Sequence, residues 1–192
     1  GEYNLRPADG IVQGTSGADV FDVGDADVQG DLVDGADGLN DTIYTFQGAD
    51  DVTAGDGNDQ IFLGSGDDKA DGEAGNDIIF GESGEDDLKG GVGNDTIYGD
   101  YAPDDERGGI AEYDDKIDGE QGEDLIYGGR GKDDIKGGED DDTVYGGGDN
   151  DKINGEDGND VLVGEGGKDK IDGGDGDDLI WGDWDDDTNP FD

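Results

Sequence analysis

Residues 45–98 are six nine-residue units laid end to end, and residues 119–181 are seven more, again without a gap. Typical units read GEAGNDIIF from Gly72, GGVGNDTIY from Gly90, GEDGNDVLV from Gly155 and GGDGDDLIW from Gly173. One further unit, residues 99–118, carries an 11-residue insertion. A degenerate unit at 36–44 precedes the array, an isolated one stands at 14–22, and the stretch 23–35 is off-register. A fixed short period confines the chain to a stack of like units, each touching only its neighbours. Apolar residues recur every nine positions rather than every 3.6, and glycine recurs every few, so helix is excluded.

Each unit has the same internal logic. Positions one to six are glycine-rich and end in aspartate, and positions seven to nine read as a three-residue strand with an apolar middle. The middle residues are Val52, Ile61, Ala70, Ile79, Leu88, Ile97, Ile117, Ile126, Ile135, Val144, Ile153, Leu162, Ile171 and Ile180. Neighbours along a strand point to opposite faces, so position eight is expected inside, with seven and nine outside. Position nine alternates apolar and polar, from Phe62 and Asp71 to Asp172 and Trp181. The full period is therefore 18 residues, two units per coil, with alternate units in opposite sheets. The insertion keeps this phase and is expected to bulge from one turn. In the polar sheet, Lys69, Asp87, Lys116 and Asp134 at position seven face Asp71, Lys89, Asp118 and Lys136 at position nine in a checkerboard of charge. Such cross-strand pairs favour the sheet, and the pattern breaks where Lys152 meets Lys170.

Charge bounds the function. Acidic residues number 57 against 11 basic ones, a formal net charge of −46, with only 29% hydrophobic residues. A chain of that kind stays disordered unless something neutralises it, yet regular apolar spacing argues for a fold. A bound cation resolves the conflict. Nucleic acid is excluded as a partner, because phosphate binding needs Lys and Arg clusters. No His and no Cys means no imidazole base, thiolate site or disulfide. No apolar run approaches the roughly 18 residues that a membrane-spanning helix needs. Only Ser16, Ser65 and Ser83 are serines, none with a histidine to activate it, so the chain is expected not to be an enzyme.

The loop G-G-x-G-x-D turns carbonyls toward one point and adds a carboxylate. Two such loops on consecutive coils offer many hard oxygens, which suits six- to eight-coordinate Ca²⁺. At this level the chain resembles the RTX (repeats-in-toxin), or hemolysin-type, calcium-binding repeat G-G-x-G-x-D-x-U-x, U being a large apolar residue. The resemblance implies an all-β fold: a right-handed parallel β-roll solenoid, two units (18 residues) per coil, with two facing short-stranded parallel sheets. It implies that position-six aspartates bridge successive loops through calcium. One edge would use Asp50, Asp68, Asp86, Asp115, Asp133, Asp151 and Asp169. The other would use Asp59, Asp77, Asp95, Asp124, Asp142, Asp160 and Asp178, with Asp41 starting it. Backbone carbonyls of Gly72, Ala74, Asn76, Gly90, Val92 and Asn94 would complete the shells. One ion per gap gives roughly 12–14 Ca²⁺. The resemblance also implies type I secretion and extracellular folding on calcium, as part of a larger secreted protein of a Gram-negative bacterium. Residues 1–44 then read as an N-terminal cap, 45–181 as the calcium-binding roll, and 182–192 as a tail or the start of a further segment.

Several positions depart from the repeat. Asp140 and Asp149 replace glycine at position four and are expected to distort their sites. Ala70 is small for the core, and the loop before Asp115 is not a glycine turn, so the sites it shares are expected to be the weakest. The acidic run 25–31 reads as a solvated loop rather than an atypical calcium site. Phe62, Phe80, Tyr98, Tyr127, Tyr145, Val163 and Trp181 should line one outer face. That stripe is a candidate contact for another domain, a protomer or a glycan, since contiguous exposed apolar patches mark interactions. A carbohydrate-binding accessory module and a self-associating surface segment are accordingly the alternatives to a calcium-folded structural module.

Overall fold

The computed structural model describes residues 11–13, 20–21, 40–100 and 113–183. Most of the expected cap, the loop 101–112 and the tail from residue 184 lie outside the described residues. Two parallel sheets run the length of the molecule, and the described residues contain no helix. The first sheet is formed by β1 (Ile11–Gln13), β3 (Thr42–Tyr44), β5 (Gln60–Ser65), β7 (Ile78–Ser83), β9 (Thr96–Asp100), β11 (Leu125–Arg130), β13 (Thr143–Gly148), β15 (Val161–Gly166) and β17 (Leu179–Asp183), in that order. The second is formed by β2 (Val20–Phe21), β4 (Asp51–Asp56), β6 (Lys69–Ala74), β8 (Asp87–Val92), β10 (Lys116–Gln121), β12 (Asp134–Glu139), β14 (Lys152–Asp157) and β16 (Lys170–Asp172). Strictly alternating membership is the two-unit coil of a parallel β-roll.

Register follows the sequence period. Ile61 pairs with Ile79, Ile79 with Ile97, and Ile126 with Val144. Across the insertion Ile97 pairs with Ile126, so the extra residues leave the stacking phase intact. The same holds at the start, where Ile11 pairs with Thr42 and Val20 with Asp51. Val20–Phe21 of the isolated unit thus pairs with the roll in phase, and the off-register stretch 23–35 lies outside the described residues.

Strands are longer than the three residues expected from the repeat. Most run for six, as in Ile78–Ser83, continuing from positions seven to nine through one to three. Glycine at position one does not end the strand; it lets the backbone pass close to the next coil. Position eight forms the core: Ile61, Ile79, Leu88, Ile97, Ile117, Ile126, Ile135 and Leu162 are fully buried. In the first coils position one also fills the core, through Ala54 and Leu63.

On the outer face of the first sheet the aromatic residues stack on one another. Tyr44, Phe62, Phe80, Tyr98, Tyr127 and Tyr145 lie with ring centroids 4.8–5.0 Å apart, each pair within 9° of parallel. Each interior ring thus stacks between two neighbouring rings, and the stripe is half-buried. Val163, expected on the exposed stripe, is 4% exposed, because it lies in register between the larger Tyr145 and Trp181. On the second sheet the charge ladder forms in part: Lys116 reaches Asp87 at 2.7 Å and Lys152 reaches Asp134 at 2.6 Å. Lys89 pairs instead with Glu120 at 2.6 Å, and Lys136 reaches both Asp118 and Glu156. Lys152 does stand against Lys170.

A one-residue core layer makes stability local. Ile126→Ala should cost about 2–4 kcal/mol in the coils that touch it, as for other large-to-small core changes. Amide hydrogen exchange should accelerate in β9, β11 and β13 and stay unchanged in β4 and β5. Uniform acceleration along the roll would show instead that it opens as one unit.

Candidate metal centre

From Asp59 and Asp68 onward each position-six aspartate is fixed by the coil before it. The N–H groups of Asp41, Asp50, Asp59, Asp68 and Asp77 donate to Oδ1 of the aspartate 18 residues on, at 2.7–2.9 Å. The ladder continues from Asp115 N–H to Asp133 and on to Asp160 N–H donating to Asp178 at 3.1 Å. Across the insertion Asp86 N–H still reaches Asp115 at 2.9 Å, and Asp95 N–H reaches Asp124 at 2.8 Å. All the aspartates predicted from the sequence therefore fall into two continuous columns, one on each edge of the roll.

The second carboxylate oxygen has a different fate. Oδ2 of Asp59, Asp68, Asp77, Asp86, Asp95, Asp115, Asp124, Asp133, Asp142, Asp151 and Asp160 is buried with no hydrogen-bond partner. Buried polar atoms are almost always paired, so each orphan calls for a ligand. Position one shows where they point. A Cβ at Gly72 would sit on Asp77 Oδ2 and on the carbonyl of Gly90 in the next coil. The same pairing of own-unit Oδ2 with a next-coil carbonyl recurs at Gly81, Gly90, Gly99, Gly119, Gly128, Gly137, Gly146 and Gly155. Glycine at position one thus leaves room for a carboxylate oxygen and a carbonyl to meet. Among the described residues no three acidic side chains are placed to hold a metal ion by themselves. Further ligands must then be main-chain carbonyls, and a donor set of one or two carboxylates plus carbonyls suits Ca²⁺.

The carbonyls named from the repeat divide. Gly90 O faces Asp77 Oδ2 across Gly72. The Ala74 carbonyl accepts the Gly57 N–H and that of Val92 accepts the Gly75 N–H, both at 2.8 Å, which commits one lone pair of each to the roll. Asn76 and Asn94 belong to a feature the sequence reading missed. Position-five side chains accept an N–H from the following coil: Asn76 N–H to Asn58 Oδ1 at 2.9 Å, Asn94 N–H to Asn76 Oδ1 at 3.1 Å. Asp67, Asp114, Asp141, Asn150 and Asn159 do likewise. Its signal was visible: Asn40, Asn58, Asn76 and Asn94 recur at 18 residues.

The turn itself is left-handed at positions two and four. Asp140 and Asp149 adopt φ of 80° and 75° there, and Asp142 and Asp151 beyond them keep their Oδ1 bonds at 2.8 and 3.0 Å. The backbone turn is kept at both positions, since aspartate enters that region more readily than most residues.

Burial dominates the electrostatics. Removal from water pushes the Asp115 carboxyl up to about 9, against the hydrogen bond from Asp86 N–H, with Asp86, Asp133 and Asp100 charges adding to the rise. Asp124 and Asp133 rise to about 8, and Asp77, Asp86, Asp142 and Asp151 to about 7, all first through burial. Asp59, Asp68 and Asp95 rise to about 6 for the same reason.

A family model for the RTX calcium-binding nonapeptide repeat (4 copies) matches residues 30–61, 54–88, 62–97, 111–135, 127–162 and 154–188. No curated protein matches the chain.

A raised folded-state carboxyl stabilises the fold below its unfolded value and loses that contribution as pH rises through the folded value. In calcium-free buffer the roll should therefore be most stable below about pH 4 and lose β signal as pH climbs through about 6–9. Circular dichroism against pH on the calcium-free chain checks this; β structure that strengthens from pH 5 to 9 would contradict it. Calcium, taken up by the ionised form, should release protons.

Proposed function

Since the chain belongs to the family of RTX calcium-binding nonapeptide repeats, we propose that it is a calcium-folded structural module that acts outside the cell and carries no reaction of its own. The observation that supports this most is the column of buried, unpartnered Oδ2 atoms along both edges. Without a cation each is a desolvated carboxylate facing a carbonyl dipole. With one, the same oxygens become ligands. Nine position-one glycines, at 72, 81, 90, 99, 119, 128, 137, 146 and 155, bring Oδ2 and a next-coil carbonyl together. The earlier gaps beside Thr45, Ala54 and Leu63 carry a side chain at position one.

Extracellular action fits the chemistry, since weak calcium sites fill only where calcium is abundant. The family's association with secreted proteins supports it, and export by a type I route remains part of the proposal. The aromatic face is assigned to sheet cohesion. Sugar rings stack on free aromatic faces, and here the interior faces are taken by neighbouring rings.

In chelator at neutral pH the chain should be expanded; in millimolar calcium it should be compact and β-rich, with affinities of roughly 10⁻⁴–10⁻³ M. Native mass should count about nine ions or more, one per formed gap. A neutral chelated sample with full β signal and a compact radius would refute the coupling, and fewer than about eight ions would refute the two-edge register.

A further inference from the structure

The insertion falls between position two, Asp100, and position four, Tyr113, of its unit. In regular coils the position-two carbonyl accepts an N–H from position three of the next coil. Ser65 N–H donates to Phe46 O at 2.8 Å and Asp175 N–H to Glu156 O at 2.7 Å. At the insertion the donor is unchanged but the acceptor is not. Arg130 N–H donates at 2.7 Å to Oδ2 of the Asp100 side chain. Position two of the next coil agrees: a Cβ at Gly91 or Gly138 would strike a position-two carbonyl, whereas at Gly129 it would strike Asp100 Cβ and Oδ2. β9 and β11 pair from Thr96 to Tyr98 only, while regular neighbours pair on into the turn, as Gly147 does with Glu165. A carboxylate thus stands where a main-chain carbonyl stands elsewhere. By position four the main chain resumes, with Tyr113 O against Gly131.

This coil also holds a buried orphan. Asp115 is 3% exposed, its Oδ2 has no partner, and it points at Gly99 and the Gly128 carbonyl, directly beside Asp100 in the chain. We propose that Asp100 is a cation ligand specific to the insertion, so that the gap formed by Asp100, Asp115 and the Gly128 carbonyl binds a hard divalent cation more tightly than the regular gaps. The inference rests on the calcium reading above and reverses the expectation that the gaps beside Asp115 are the weakest. With Asp100 beside Asp115 the donor set gains a second carboxylate, where regular coils place only a neutral ladder carbonyl, and calcium affinity follows ligand charge.

Asp100→Asn separates the two roles, since an amide oxygen can still accept the Arg130 N–H but carries no charge. Calcium competition against a chelator, read by native mass on the full chain, should show one ion retained longest by the wild type. Asp100→Asn should lose that ion's advantage, with its affinity falling roughly tenfold or more. Glu165→Gln, another position-two carboxylate on the same sheet, should leave the tightest step unchanged. A second measurement needs no variant: carbodiimide labelling of the wild type at limiting calcium should protect Asp100 and Asp115 before Asp77. Unchanged tight binding in Asp100→Asn, or Asp100 labelling that ignores calcium, overturns the proposal while leaving calcium folding intact. A wild type that binds no calcium overturns both.

Discussion

A carboxylate with one oxygen bonded and the other buried beside a carbonyl is the interaction on which the rest of this molecule depends. From Asp59 and Asp68 onward each position-six aspartate is held by the N–H of the coil before it and, beside a position-one glycine, aims its second oxygen into its own unit. That arrangement dictates the neighbours. Position one must lack a side chain wherever the oxygen and the next-coil carbonyl approach, which is why Gly72, Gly81 and Gly90 stand there. Most residues at positions two and four turn through positive φ, which glycine does freely and which Glu82, Glu120 and Asp140 do at some cost. The repeat is glycine-rich because the carboxylates are buried.

The core offers little to offset that burial. Beyond the first coils one apolar side chain per unit, Ile79 or Ile97 for example, is enclosed between the sheets. Its removal from water is favourable but modest against the conformational entropy of ordering nine residues. What the roll adds is ladders in both directions. Position six accepts from the coil before, position five from the coil after, and the rings from Tyr44 to Tyr145 stack along the first sheet. Every one of these contacts joins nearest neighbours, so order propagates coil by coil and a cation in one gap steadies the two loops that border it. The exposed ion pairs, such as Lys116 with Asp87, add little to that.

Most of this architecture was legible, because a strand has a period of two and the repeat a period of nine. Ile61, Ile79 and Ile126 were readable as core from their place in the unit, and the alternation of Phe62, Asp71 and Phe80 revealed two sheets. Strand length was not readable, since glycine at position one looks like a turn and here continues the strand. Val163 misled because exposure depends on the size of its neighbours in register, which nine-residue arithmetic does not weigh. The position-five ladder was overlooked because Asn58 and Asn76 sit in a loop whose glycines and aspartates drew the chemistry to themselves. The role of Asp100 lay beyond any reading of the unit, for there a side chain replaces a piece of backbone.

That replacement explains where such a roll can be interrupted. Three columns must stay in phase from coil to coil: position eight in the core, position six at the edge, and position nine on the outer face. Extra residues within positions six to nine would break all three. Extra residues within the turn leave those columns in phase, and the hydrogen bond that position two accepts is restored by a short acceptor side chain. Asp100 reaches Arg130 N–H at 2.7 Å, while Ile97 still lies against Ile126 and Asp86 N–H still finds Asp115. A single aspartate at the mouth of the insertion therefore carries the backbone ladder across the break, and it does so with a group that also adds charge beside the buried Asp115.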